Sequence, residues 1–419
     1  MRIAGLRQLG AVGGLLATGL AAQAARHAVI IDVDGVRRDT VEQLYDAGRL
    51  PSFQRIFAHA RWFDRAATVL PSVTMPAQAA LFTGVEPERH GIPGNQWFDR
   101  AEGRLYDYLS PSGLACTYGL ATVAGMRCKG GLGNQHLRAP TVYEAASRAG
   151  LSSAVVFSQY WKGATQAMPP TEMEALFFAR GSSIDGQSFD REMAARAIGG
   201  LKAHGVPSIL TVYFAGADTA GHKRGLAGQA DYLAGIVDPL LGRILDAYQG
   251  LDADWAADTM FVLTSDHGRT EVQAHPEDLT LAADLVAALP ERARVAKNGG
   301  MGFVYLEHAE REDLAKLAER LAGASPAVES VRVRGAENAA RAGDLIVVLR
   351  PGHYFDNDGA GSQHGSPYRD DTEIPMVVAA PGVAGGHTDV PVRITQVART
   401  VAGFLGFPMD SAAPALPLR

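Results

Sequence analysis

Five short runs of this chain, HAVIIDVDG, SSAVVFSQ, SILTVYFAGAD, MFVLTSDHG and IPMVVAAPG, are apolar without a period of two and end in polar clusters. A strand exposed on one face alternates; a strand covered on both faces has no reason to. The runs therefore predict strands buried inside the molecule. Between them lie stretches with helical spacing, such as SFDREMAARAIGGLKAHG and AGQADYLAGIVDPLLGRILDAY. Strand and helix in alternation predict an α/β fold, a mostly parallel central sheet flanked by helices on both faces. From residue 275 to about 350 the rhythm breaks into REDLAKLAERLAG, ESVRVRG and DLIVVLR, which predicts a small inserted α+β subdomain. No repeat or low-complexity linker divides the rest, so residues 25–419 are expected to form one domain around that insertion.

In open α/β sheets ligands gather outside the carboxyl ends of the strands. There this chain puts its Asp and His residues. VIIDVDG ends at Asp34, VYFAGADTAGH leads to Asp218 and His222, VLTSDHG carries Asp266 and His267, and GAGSQHGSPY adds His364. One such Asp is usually a turn former and one such His a satisfied core residue. Four clusters at equivalent positions point instead to metal. Carboxylate and imidazole together suit zinc, with manganese or another divalent ion as less selective choices, and the ligands suffice for two ions. Two cations about 4 Å apart suit phosphate chemistry, because they activate a nucleophile and stabilise the leaving oxygen.

A nucleophile is offered by PSVTMPAQAALFTG, residues 71–84, where Thr74 precedes Pro76 at the start of a helix-compatible run. Read for structure alone, Thr74 is an N-cap. Read for chemistry, its hydroxyl sits where a helix dipole favours an anion, and a metal would supply the activation that a threonine lacks by itself. No G-x-S-x-G pattern competes with it.

With 419 residues, 47% of them hydrophobic, a sizeable core is available. A net charge of -6 and no basic block interleaved with aromatics exclude nucleic acid as the specific ligand. The N-terminus, with Arg2 and Arg7 before a small-residue apolar run and Ala22-Gln23-Ala24 after it, reads as a signal peptide over residues 1–24. Cleavage there predicts a periplasmic or secreted protein with no membrane attachment. Export makes Cys116 and Cys128 candidates for a disulfide. Nothing in the sequence fixes an oligomeric state.

The segments VDGVRRD, SVTMPAQAALFTGVEPERHGIPGNQWFD, ADTAGH, TSDHG and QHGSPYRDDTEIPMVVAAPG occur in the order used by the alkaline phosphatase superfamily. Together they resemble its nucleotide pyrophosphatase/phosphodiesterase branch and the related threonine-dependent bacterial alkaline phosphatases. The resemblance spans nearly the whole mature chain. It implies that Asp34, Asp266, His267 and Thr74 bind one zinc and that Asp218, His222 and His364 bind the other. It implies that Asn95 donates to a phosphoryl oxygen of a small phosphate ester. The implied mechanism is two in-line displacements, with Thr74 attacking phosphorus and a zinc-activated water releasing the phospho-threonine. Sulfatase chemistry is not implied, because TMPAQ stands where those relatives carry a formylglycine motif.

Diesterase and monoesterase share this metal core. In the threonine-dependent monoesterases a Lys-x-Arg pair supplies extra positive charge; here Lys162 matches the Arg end while Tyr160 falls at the lysine. The same letters match a diesterase pattern as Trp161-Lys162-Gly163. The C-terminal QHGSPYRDDTEIP leans towards the monoesterases. The expected function is therefore a two-zinc phosphodiesterase or nucleotide pyrophosphatase with Lys162 and Asn95 at the phosphate. An alkaline phosphomonoesterase is the alternative, with a phosphoryl transferase or a silent ligand-binding relative behind it.

Overall fold

The computed structural model describes residues 26–119, 128–171, 174, 186–289, 293–307, 311–335, 341–411 and 413–418. The signal peptide expected at residues 1–24 lies outside them. His27–Val33 is the strand on which the core is built. It pairs in parallel with Ile209–Phe214 on one side and with Thr259–Thr264 on the other. The full order is Gly386–Thr388, Arg61–Phe63, Met376–Ala379, Thr259–Thr264, His27–Val33, Ile209–Phe214, Ser153–Val156 and Gln166–Met168. Only Met376–Ala379 runs against its neighbours.

Every residue of Ile209–Phe214 and Thr259–Thr264 is buried, which accounts for the missing alternation. The first strand shows why both faces are apolar. Val29, Ile31 and Val33 pack into one layer with Val41, Phe53, Leu241 and Leu245 from helices Arg38–Asp46, Pro51–Phe57 and Asp238–Gln249. Ala28 and Ile30 pack into the opposite layer with Ala80, Val397 and Val401 from helices Thr74–Thr83 and Gln396–Leu405. Three adjacent parallel strands thus end together; Asp34 and Asp266 stand just beyond two of those ends, and Asp218 stands in the first turn of helix Gly216–Tyr232 beyond the third.

Residues 276–349 build a second sheet of four antiparallel strands, in the order Arg294–Asn298, Met301–Tyr305, Leu345–Leu349 and Val328–Val333. One face, with Met301, Phe303, Ile346 and Val348, joins the main core. The other, with Val304, Leu345, Val347 and Leu349, packs Leu281, Leu285 and Leu321 from its own helices, Pro276–Ala287 and Arg311–Ala322.

Cys116 and Cys128 form a disulfide, and both lie in the main core. Closing a loop over a separation of 12 residues stabilises by about 3 kcal/mol in the chain-entropy view. Cys116→Ala/Cys128→Ala should therefore melt several degrees lower than wild type. Two thiols that alkylate without prior reduction in protein from an oxidising compartment would argue against the bond.

Candidate active site

Thr74 is the first residue of helix Thr74–Thr83, and Val73, the N-cap, contributes no side-chain bond. Thr74 therefore does not cap its helix. Its Oγ1 lies 3.4 Å from His267 Nε2. The cap comes from Asn95, whose Oδ1 accepts the Met75 amide at 2.9 Å and so satisfies one of the helix's orphan donors. That bond fixes which end of the Asn95 amide is the acceptor and leaves Nδ2 as its donor end. One asparagine thus holds the helix start in place and stands beside Thr74.

Around Thr74 the structure brings together all six expected acidic and histidine residues. Donor atoms of Asp218, His222 and His364 lie within 4.8 Å of one another, and so do those of Asp34, Asp218 and His267. Asp218 belongs to both groups. Asp266 closes the second from behind: its Oδ1 accepts Gly35 N at 3.1 Å and His267 N at 3.0 Å, and its Oδ2 lies 3.8 Å from His267 Nε2. His222 Nε2 faces His364 Nε2 at 3.2 Å. The outer nitrogens of two rings are occupied, His267 Nδ1 with Gly268 O at 2.9 Å and His364 Nδ1 with Ser72 O at 3.1 Å. A ring that gives its Nδ1 hydrogen to a carbonyl turns a lone pair on Nε2 inward, as a metal ligand requires.

The backbone is shaped for this crowding. Gly35 has φ +66, and a Cβ there would stand 2.6 Å from Asp218 Oδ1 and 3.1 Å from His267 Cε1. Only glycine fits behind Asp34.

So many charges in one dry place perturb one another. Burial and the charges of Asp266 and Asp218 push the Asp34 carboxyl well above the usual range. Burial opposes charging His267, yet the negative charges of Asp266 and Asp34 outweigh it and hold the imidazole at about 10. Burial and the neighbouring His267 push His364 well down. Burial would raise Asp218, but His222 and Arg269 hold it well below the ordinary value.

Two contributors are not evident from sequence patterning. Arg269, fully buried, donates from Nη2 to Asp218 Oδ1 at 2.6 Å and from Nη1 to Asp218 O at 2.9 Å. It passes Gly221, where a Cβ would stand 1.3 Å from Nη1. Its position two residues beyond His267 was the available signal. Tyr213 donates to Asp34 Oδ2; within an apolar run it reads as core, so patterning gave no sign of it.

Lys162 sits apart from the clusters. Its Nζ lies 3.9 Å from Glu144 with 40% of the side chain exposed. Tyr160 is fully buried and donates to Met75 O at 3.0 Å. A cleft of about 310 Å³ opens beside Asn95 and His364, walled by Asp107, Lys297, Phe355 and Asp356; Lys162 does not line it.

The model of the type I phosphodiesterase / nucleotide pyrophosphatase family matches residues 28–369. An alkaline phosphatase, PhoD, of Zymomonas mobilis is 25% identical over 275 residues, which is 53% of this chain and 47% of that protein. The chain thus spans about half the length of this curated relative. Mouse ectonucleotide pyrophosphatase / phosphodiesterase 5, solved as an inactive variant in complex with AMP, superposes with a TM-score of 0.68 at 17% identity, covering 93% of this chain and 97% of that one. The alkaline phosphatase PafA superposes with a TM-score of 0.70 at 17% identity, covering 95% and 99%. With a model matched across most of its length, and with the fold of these hydrolases, the chain belongs to the type I phosphodiesterase / nucleotide pyrophosphatase family of the alkaline phosphatase superfamily.

Proposed function

We propose that this chain is an exported phosphodiesterase that works through a phospho-threonine on Thr74. One observation carries the reading: the Thr74 hydroxyl, at a helix start, lies against His267 where two N/O donor clusters share Asp218. Zinc fits those clusters. Asp34 Oδ1 and Asp266 Oδ2 are buried without a hydrogen bond and share the single ring nitrogen His267 Nε2, at 3.3 and 3.8 Å, a costly state for two carboxylates that a bound cation would relieve. Asp34, Asp266, His267 and Thr74 would hold one ion; Asp218, His222 and His364 would hold the other. Two bound ions would lower the pKa of the attacking hydroxyl and neutralise charge on the phosphoryl group.

The chain's own groups do the rest. Thr74 Oγ1 forms a bond to phosphorus as the bond to the leaving oxygen breaks. Asn95 Nδ2 donates to a non-bridging oxygen. Arg269 pins Asp218 by both its carboxylate and its carbonyl, so that the shared ligand keeps its place. A water then displaces Thr74 from phosphorus and restores the hydroxyl. In agreement with this role, the mouse relative bound to AMP is an inactive threonine-to-alanine variant.

Preference for a diester rests on what flanks the centre. A dianionic monoester asks for added positive charge, whereas Tyr160 fills the place of a monoesterase lysine with a buried, neutral side chain, and Lys162 turns to Glu144. The cleft beside Asn95 gives a second ester group room; its Lys297 is already paired with Asp356, and Asp107 adds negative charge, so the cleft favours no additional charge on the substrate. The test compares kcat/KM on bis-p-nitrophenyl phosphate, p-nitrophenyl phosphate and a nucleotide diester. Diesters should lead; a lead for the monoester would replace the diesterase reading with the monoesterase one. Lys162→Ala should change both aryl substrates by no more than about twofold, as expected for a half-exposed ion pair. A loss confined to the monoester would put Lys162 at the phosphoryl group after all.

A further inference from the structure

Away from the active site, the start of helix Pro276–Ala287 meets the turn that follows strand Leu345–Leu349. We propose that His275, Glu277 and His353 form there a separate site for one divalent transition-metal ion of the zinc class, which clips the inserted subdomain to the wall of the substrate cleft. Binding of the ion depends on these residues alone; its bearing on substrate rests on the proposed function.

Donor atoms of these three residues lie within 4.8 Å of one another. A tetrahedral zinc with bonds of about 2.1 Å sets its donors about 3.4 Å apart, so small side-chain rotations complete the site. The two imidazoles are already face to face, with centroids 4.2 Å apart and planes at 33°. Neither the His275 ring nor the Glu277 carboxylate makes a hydrogen bond or ion pair among the described residues. His275 is the N-cap residue of its helix yet its ring caps nothing.

A second observation identifies the chemistry. His353 Nδ1 lies 2.8 Å from Oδ1 of Asp278, whose side chain is fully buried. Asp278 is itself locked, since its Oδ2 accepts Tyr354 N at 3.2 Å and Asn357 Nδ2 at 2.9 Å. A buried carboxylate taking the Nδ1 hydrogen leaves Nε2 with its lone pair and raises its basicity; this is the carboxylate–histidine–metal arrangement. Two imidazoles and one carboxylate make a zinc-type donor set with one position left to water.

The place gives the ion a consequence. Phe355 and Asp356, two and three residues beyond His353, line the cleft beside Asn95 and His364. An ion bridging His353 to His275 and Glu277 would hold that wall against the subdomain helix across a separation of 78 residues in sequence.

The test is metal content of the full chain, equilibrated with Zn²⁺ and dialysed against metal-free buffer. Wild type should retain one zinc per chain more than His275→Ala/His353→Ala, and Glu277→Gln, which keeps the shape of the side chain, should weaken that same zinc and remove part of the rise in Tm that Zn²⁺ gives. Equal zinc and equal Tm shifts in wild type and Glu277→Gln would overturn the site even if the double variant failed to fold. The active-site ions are separable, because they depend on Asp266 and His364. A wild type holding a single zinc, lost from Glu277→Gln and kept in His364→Ala, would support this site while removing the two-metal reading of the other.

Discussion

Thr74→Ala is expected to lower kcat on an aryl phosphodiester by about 10⁴-fold or more, the scale on which nucleophile deletions act, while Tm and zinc content stay close to wild type. The split follows from geometry. Because Asn95 rather than Thr74 caps the helix, removing the hydroxyl leaves the Met75 amide satisfied and opens no gap at the helix start. The hydroxyl's polar contact is with His267 at 3.4 Å, longer than a good hydrogen bond. Its stability contribution is therefore small. Thr74→Ser should keep much of the rate, since it keeps the nucleophile. Near-normal kcat in Thr74→Ala with zinc retained would end the phospho-threonine proposal. A large fall in Tm would instead mean that the side chain works as a structural element.

How far the sequence foretold this centre can be seen at particular residues. The apolar runs were legible because strands buried on both faces leave no polar positions, and once three such strands run parallel their ends must share one edge. Asp34, Asp218 and Asp266 meet for that reason. His222 follows because it lies one helical turn beyond Asp218, on the same face. At Thr74 local propensity fails: it favours a hydroxyl cap at a helix start, but Asn95, distant by 21 residues, takes that duty by a tertiary contact no local rule anticipates. Arg269 was hidden for a related reason. A cation next to Asp218 looks contrary to the proposed metal binding until its hydrogen bonds to that residue are seen to orient the carboxylate. A three-residue match places Lys162 at the phosphate, whereas in the fold its Nζ lies 3.9 Å from Glu144 of helix Val142–Arg148, whose close approach to Gly163 is invisible in one dimension.

Removing the metal should abolish turnover and also invert how stability depends on pH. His267 has a folded-state pKa of about 10, above its unfolded value near 6.5. The stability it contributes to metal-free protein is therefore full below about pH 6.5 and is lost as pH rises towards 10. Asp34 acts in the same direction: its carboxyl is raised by burial and by Asp266 and Asp218, so folding is most favoured where it stays protonated and weakens as pH climbs. Chelated protein should thus show a falling Tm between about pH 7 and 10. Metal binding has the opposite sign, because it needs His267, His222 and His364 neutral and the carboxylates ionised, and so gains as protons leave. The gap in Tm between zinc-loaded and chelated protein should then widen as pH is raised. Asp266→Ala and His364→Ala should each lose zinc and activity, and the fall in Tm of the metal-free protein between about pH 7 and 10 should be shallowest in Asp266→Ala, because the Asp266 charge is the largest influence holding His267 protonated. Full activity after exhaustive chelation, or a Tm gap that stays constant across this range, would show that these buried carboxylates and imidazoles balance one another without an ion.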